Sequence, residues 1–208
     1  MKLIFIRHGQ TEATEKGLYC GQSDLPLSEA GRSALLLKNR RFEYPDVRGF
    51  RIITSGMKRT EETLLLIYGD LPHEIMPEFR EINFGDFELR HYRELRNDPV
   101  YLEWIKDAFS NVCPNGESRA MVVSRVTKKL DEVIADGRNI LIIAHGGVIP
   151  DSMEYLFKEG KNLYEWMPDP GNGYICEIEL TDDRYRPVSY RAIAPNAADP
   201  HDIDYGKC

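Results

Sequence analysis

No run of apolar residues in this sequence approaches the roughly 20 that a membrane-spanning helix requires, so no membrane association is expected. A positive excess is missing as well. Over 208 residues the formal net charge is -7, which argues against a nucleic-acid partner, whose backbone calls for a basic surface and counterion release. The four cysteines, Cys20, Cys113, Cys176 and Cys208, form no CxxC pair and stand near no paired histidine. A zinc site and a redox pair are therefore not indicated, and reduced thiols are expected. There is no GxxxxGK[ST] phosphate loop and no aspartate cluster of the kind that holds Mg²⁺. Internal repeats and low-complexity tracts are lacking too. The first residues run directly into a short apolar stretch without the features of a leader segment, which predicts a cytoplasmic protein.

What is present is ordinary globular composition, with 42% hydrophobic and 29% charged residues, enough for a substantial core in one domain over residues 1–208. The apolar runs Leu3–Ile6, Ile52–Ile53 and Ile140–Ala144 read as buried strands. Tyr174–Leu180 turns acidic at alternate positions in its second half and reads as a strand near a sheet edge. Helix patterns lie between them. One starts after the cap residue Ser28, with Leu35, Leu36 and Leu37 following; another spans Lys58 to Tyr68 and closes at Gly69. A longer one runs from about Glu117 to Ala135, carrying Met121, Val122, Val126, Leu130, Val133 and Ile134 on one stripe. A fourth spans Val148 to Phe157, with Pro150 tolerated in its first turn. The polar, aromatic-rich segment from about 86 to 114, weakly periodic, reads as an excursion over the sheet edge and the active site, and residues from about 195 to 208 read as a tail. Strands separated by helices predict a three-layer α/β/α sandwich with a mostly parallel sheet.

Two strand ends carry the chemistry. The first strand runs into Arg7-His8-Gly9-Gln10-Thr11 and the strongest later strand into His145-Gly146-Gly147. In open α/β sheets ligands bind beyond the carboxyl ends of strands, so two histidines from separate strands can converge there. The glycines that follow let backbone N–H groups approach an anion closely. Arg59 opens the helix after Ile52-Ile53-Thr54-Ser55, and with Arg7 it can clamp a phosphoryl group. Flanking arginines favour neutral imidazole, the form in which histidine is a nucleophile. The leaving oxygen needs a proton, for which the segment Glu78-Phe79-Arg80-Glu81-Ile82-Asn83 offers two carboxyl groups.

Arg7-His8-Gly9-Gln10-Thr11 resembles the signature of the histidine phosphatase superfamily, the phosphoglycerate-mutase-like family, and further blocks follow in family order. These are Gly21–Gly31, Ser55–Thr63, Arg80–Gly85, Pro114–Ser118 and Ala144–Gly147. The resemblance implies that His8 becomes phosphohistidine, that Arg7, Arg59 and His145 bind the phosphoryl oxygens, and that Glu81 is the acid and then the base. It selects Glu81 over Glu78, which spacing leaves open. Gly9, Gln10, Gly21, Gln22 and Gly146 would face the substrate. Thr14 stands where many members carry Asn and would make a weaker contact; Leu89 stands where many carry Gly.

Leu18–Gly21 and the compact length look like the α-ribazole phosphatase branch. The expected function is hydrolysis of a small phosphorylated metabolite, with α-ribazole 5′-phosphate a candidate, without cofactor or metal. The resemblance implies that true mutases carry a longer excursion between Glu81 and His145 than this chain has, so water is the expected acceptor rather than a mutase-type return of the phosphoryl group. A phosphoglycerate-type mutase and a non-catalytic phospho-ligand binder are the other readings, and a homodimer fits any of them. His73, His91 and His201 read as surface or structural residues, as does the turn Asp182-Asp183-Arg184. Tyr92, Tyr101 and Trp104 read as a local core rather than a pocket wall.

Overall fold

Alternation along the strands divides the core into two faces. In the computed structural model, which describes residues 1–41, 43–181 and 184–193, Leu3, Phe5, Ile140, Ile142 and Ala144 belong to one apolar cluster. Ile4, Ile6, Leu141 and Ile143 belong to the other. Strands buried on both sides need helices on both sides, and these are supplied.

In chain order the elements are β1 (Lys2–Arg7), α1 (Glu12–Lys16), α2 (Glu29–Arg40), β2 (Arg51–Thr54), α3 (Lys58–Tyr68), β3 (Glu74–Ile75), α4 (Tyr92–Leu95) and α5 (Pro99–Lys106). Then come α6 (Arg119–Ile134), β4 (Ile140–Ala144), α7 (Val148–Phe157), α8 (Leu163–Trp166), β5 (Gly173–Leu180) and β6 (Tyr185–Ala192). The sheet order is β3-β2-β4-β1-β5-β6. The pairings β1 with β4, β2 with β4 and β2 with β3 are parallel, whereas β5 runs antiparallel to β1 and β6. α6 and α7 pack Val122, Val126, Leu130, Ile149 and Met153 on one face, and α2 and α3 pack Leu35, Leu64 and Ile67 on the other. The expected mostly parallel α/β/α sandwich is therefore present.

Tyr174–Leu180 lies near the sheet edge as expected, one strand in, with β6 pairing outside it. Other details differ from the sequence reading. The long helix starts at Arg119, capped by the Ser118 hydroxyl, and Met121 is exposed rather than part of the buried stripe. Leu36 and Leu37 also face solvent, since on a helix each lies about 100° round from its neighbour and only Leu35 points inward. The excursion is more ordered than its pattern suggests. It holds α4 and α5 and buries Phe87, Leu95, Tyr101, Trp104 and Cys113 together. That confirms Tyr101 and Trp104 as local core. The tail, Cys208, His201 and the pair Asp182-Asp183 lie outside the described residues.

Candidate active site

Parallel pairing lines up three strand exits. Arg7 on β1 is level with Ala144 on β4, and Thr54 on β2 is level with Ile143. His8, His145 and Ser55 therefore leave the same edge of three adjacent strands. The His8 amide donates to the Ala144 carbonyl at 3.0 Å, and the two imidazole rings meet edge-on with centroids 5.1 Å apart. Both histidines are buried, His145 completely.

The hydrogen bonds fix the tautomers. His8 Nδ1 is 2.7 Å from the Gly9 carbonyl, which can only accept, so Nδ1 carries the hydrogen and the Nε2 lone pair remains for reaction. Arg59 Nε donates to His145 Nδ1 at 3.3 Å, so the neutral His145 ring carries its hydrogen on Nε2 and donates to Ser55 Oγ at 2.8 Å. Burial, followed by the charges of Arg59 and Arg7, holds His8 well below the usual histidine pKa against the opposing Gly9 carbonyl. Burial does the same to His145, helped by Arg59 and His8.

Arg59, the second residue of α3, is 1% exposed. Its Nη1 donates to the Ser23 carbonyl at 3.0 Å and its Nη2 to the Gly21 carbonyl at 2.5 Å. With the bond to His145, three of five N–H groups are used, which leaves two for an anion. Arg7 Nη1 donates to the Pro168 carbonyl at 2.8 Å. Its guanidinium lies so close to Gly146 that a Cβ there would sit 3.0 Å from Arg7 Cζ.

Glu81 comes to the same edge from the loop after β3. Its Oε2 accepts from the Gly147 amide at 2.8 Å and its Oε1 from the Ile82 amide at 3.0 Å. A side chain at Gly147 would bring Cβ within 2.5 Å of Oε1, so this approach depends on glycine. Glu78 instead pairs with Lys129 at 3.2 Å, away from the histidines.

The substrate-side residues divide. Gly21 and Gln22 lie against the acid loop: Gln22 Nε2 donates to the Glu81 carbonyl at 3.2 Å and to Glu117 Oε2 at 3.3 Å. Gly9 and Gln10 border a small cavity of about 150 Å³, also lined by Lys38 and Asp169. Thr14 Oγ1 is 3.0 Å from Thr11 Oγ1, so its hydroxyl joins the cap of α1. The expectation that the glycine N–H groups are free for an anion needs correcting at two positions. The Gly9 amide donates to Thr63 Oγ1 at 3.0 Å, and the Gly147 amide is taken by Glu81.

Several contributors were missed. The Glu88 carboxylate accepts from the amides of Gly21, Gln22, Ser23 and Phe84 at 2.9–3.2 Å, tying the segment that holds Arg59 to the acid loop. Arg125 of α6, and Glu117 just before that helix, grip the loop that carries Glu81. Ser55 and Glu117 lie within quoted motif blocks, which was a usable signal; Arg125 reads as one more polar helix position. Of the other histidines, His73 bonds Glu61 at 2.8 Å and His91 caps α4, both structural. Among the described residues no group of three or more His, Cys, Asp and Glu could hold a metal ion, and no helix is long and apolar enough to cross a membrane. Cys20, Cys113 and Cys176 are free thiols.

Comparison with known proteins agrees with this geometry. Residues 3–193 match the model of the histidine phosphatase superfamily (branch 1). The adenosylcobalamin/α-ribazole phosphatase of Escherichia coli strain K12 is 33% identical over 201 residues, covering 93% of this chain and 98% of its own. Its counterpart in Salmonella typhimurium is 34% identical over 160 residues, covering 72% and 76%. The crystal structure of the α-ribazole phosphatase from Shigella flexneri superposes with a TM-score of 0.80 at 28% identity, covering 96% of this chain and all of that one.

Proposed function

This chain belongs to the histidine phosphatase superfamily, branch 1, and is a phosphatase; from that premise we propose that it hydrolyses a small phosphomonoester through phosphohistidine at His8, with α-ribazole 5′-phosphate the foremost substrate candidate. The observation that carries the reading is the His8 tautomer. A buried, neutral imidazole whose Nδ1–H is fixed on the Gly9 carbonyl offers Nε2 as the nucleophile.

In the first step the Nε2 lone pair forms the N–P bond as the bond from phosphorus to the ester oxygen breaks. The electrons of that bond go to the leaving oxygen, and the Glu81 carboxylic acid gives it a proton. Arg7 and Arg59 take the phosphoryl oxygens, which supplies the positive charge from side chains. His145 stays neutral beside His8, and its Nε2–H, held on Ser55 Oγ in the free site, can turn to hydrogen-bond a phosphoryl oxygen. In the second step water attacks phosphorus, Glu81 as carboxylate accepts the water proton, and the N–P bond breaks to return neutral His8 and free phosphate. Gly9, Gln10, Gly21, Gln22 and Gly146 face the leaving group, with Thr14 at the margin.

The test is a trap. Wild-type protein mixed with a ³²P-labelled phosphomonoester and quenched in alkaline detergent should retain base-stable, acid-labile label, and His8→Ala should retain none. Turnover without label on His8 would overturn the covalent route. Absence of turnover across a phosphomonoester panel that includes α-ribazole 5′-phosphate, with phosphate binding retained, would favour a non-catalytic binder.

A further inference from the structure

Arg125 lies behind the acid loop, and all five of its N–H groups have partners. Nε donates to Glu117 Oε1 at 2.9 Å, and Nη2 donates to Glu117 Oε2 and to the Glu81 carbonyl, both at 3.0 Å. Nη1 donates to the carbonyls of Glu78 and Arg80, both at 2.7 Å. Glu117 Oε2 in turn accepts from the Asn83 amide at 3.0 Å and from Gln22 Nε2 at 3.3 Å. The carbonyls of residues 78, 80 and 81 thus converge on one guanidinium.

That convergence does not follow from regular backbone structure. Between β3 and α4 the loop contains only single 3-10 turns at Pro77–Phe79 and Gly85–Phe87, so Arg125 and Glu117 shape the path between them. The anchor is firm, because Val122 and Val126 of the same helix are in the core. On the far side of the loop the Glu81 carboxylate meets the Gly147 amide, two residues after His145. Arg125 therefore links the α6 helix, through the backbone of residues 78, 80 and 81, to the carboxyl group that faces the substrate.

We propose that Arg125, oriented by Glu117, is a positioning residue for proton donation: it places the Glu81 carboxyl at the leaving oxygen and so governs how well the enzyme expels poor leaving groups. This rests on the reading of Glu81 as the acid. Lysine cannot substitute, since a single ammonium cannot span three carbonyls and a carboxylate with the planar fork of arginine. Misplacing a proton donor by a fraction of an ångström is costly only where the proton is needed. An alkyl phosphate needs it. A p-nitrophenyl ester, whose leaving group is stable as an anion at neutral pH, scarcely does.

The experiment measures kcat/KM, which reports the step in which the leaving group departs, for p-nitrophenyl phosphate and for an alkyl phosphate. Arg125→Lys and Glu117→Gln should lose about tenfold or more on the alkyl ester and less than about threefold on the aryl ester. Competitive inhibition by vanadate should stay within about twofold of wild type, which reports that the fold and the arginine clamp survive. Glu81→Gln should show the same discrimination more strongly. If Glu81→Gln discriminates but neither other variant does, or if they lose activity equally on both esters, the positioning role is wrong and the acid assignment stands. If Glu81→Gln itself does not discriminate, Glu81 is not the donor and both fail. Should Arg125→Lys not fold, Glu117→Gln decides the same question.

Discussion

His8 and His145 stay neutral at the expense of acid stability. Burial is the main cause of each depressed pKa, with Arg59 next in both cases. The unfolded chain protonates both as pH falls through about 6.5, the ordinary histidine value, while the folded chain does not until well below it. In that window the unfolded state binds more protons, so stability falls with falling pH. His73 works in the opposite sense, since the Leu71 carbonyl and Glu61 raise its pKa despite partial burial. The paired surface carboxylates Glu74 and Glu78, held down by hydrogen bonds, titrate lower still. The informative quantity is therefore the difference between wild type and His8→Asn in urea midpoint from pH 7 to pH 5. The wild type should lose more over that range. Parallel profiles would show that His8 is not held neutral by the fold.

At the scale of elements, the acid loop and the segment after α1 are packed backbone against backbone. A Cβ at Gly21 would lie 1.7 Å from the Ile82 carbonyl and 2.6 Å from Glu88 Oε1. Gly21→Ala should destabilise the protein by about 1–3 kcal/mol, the usual range for overpacking. It should also weaken vanadate binding, because the Gly21 carbonyl holds Arg59. Full stability with normal vanadate affinity would show that the two segments part easily. This junction also shows what the sequence makes legible. β1 and β4 stand out because strands buried on both faces must be continuously apolar, and His8 and His145 inherit their positions by following them directly. β6 does not stand out: it is an edge strand of mixed burial with Pro187 inside it. α5 had its Asp98 cap and Pro99 at the first turn, yet its buried face is only Tyr101 and Trp104, too short to display a period. Glu88 and Arg125 were invisible for a different reason. They act on backbone N–H and C=O groups of distant loops, and such partners leave no residue pattern of their own.

For the whole molecule the question is where phosphohistidine sends its phosphoryl group, and the distribution of charge bears on it. The protein is acidic overall, with a net charge of -7, and most cations around the site are already matched. Arg119 pairs with the buried Asp151, Arg125 with Glu117, and Lys58 lies 3.9 Å from Asp24. Arg80 donates through Nε to the Ser55 carbonyl, which holds the side chain in place without matching its charge. Arg7 and Arg59 are the two cations that bear on both histidines, and two guanidinium groups match one phosphoryl dianion. A mutase must retain a bisphosphorylated intermediate of about twice that charge while it turns over in the site, which calls for a second cationic set or for deep cover. The excursion that would furnish cover instead packs inward, with Tyr101 and Trp104 buried and the Tyr101 hydroxyl bonded to that of Tyr19 at 2.7 Å. Water should therefore win the competition for phosphohistidine. Given 3-phosphoglycerate and a bisphosphoglycerate primer, the protein should release inorganic phosphate faster than it forms 2-phosphoglycerate, as followed by ³¹P resonance. Isomerisation outrunning phosphate release would mean that the two-arginine site holds a bisphosphate after all, and the charge argument would fail.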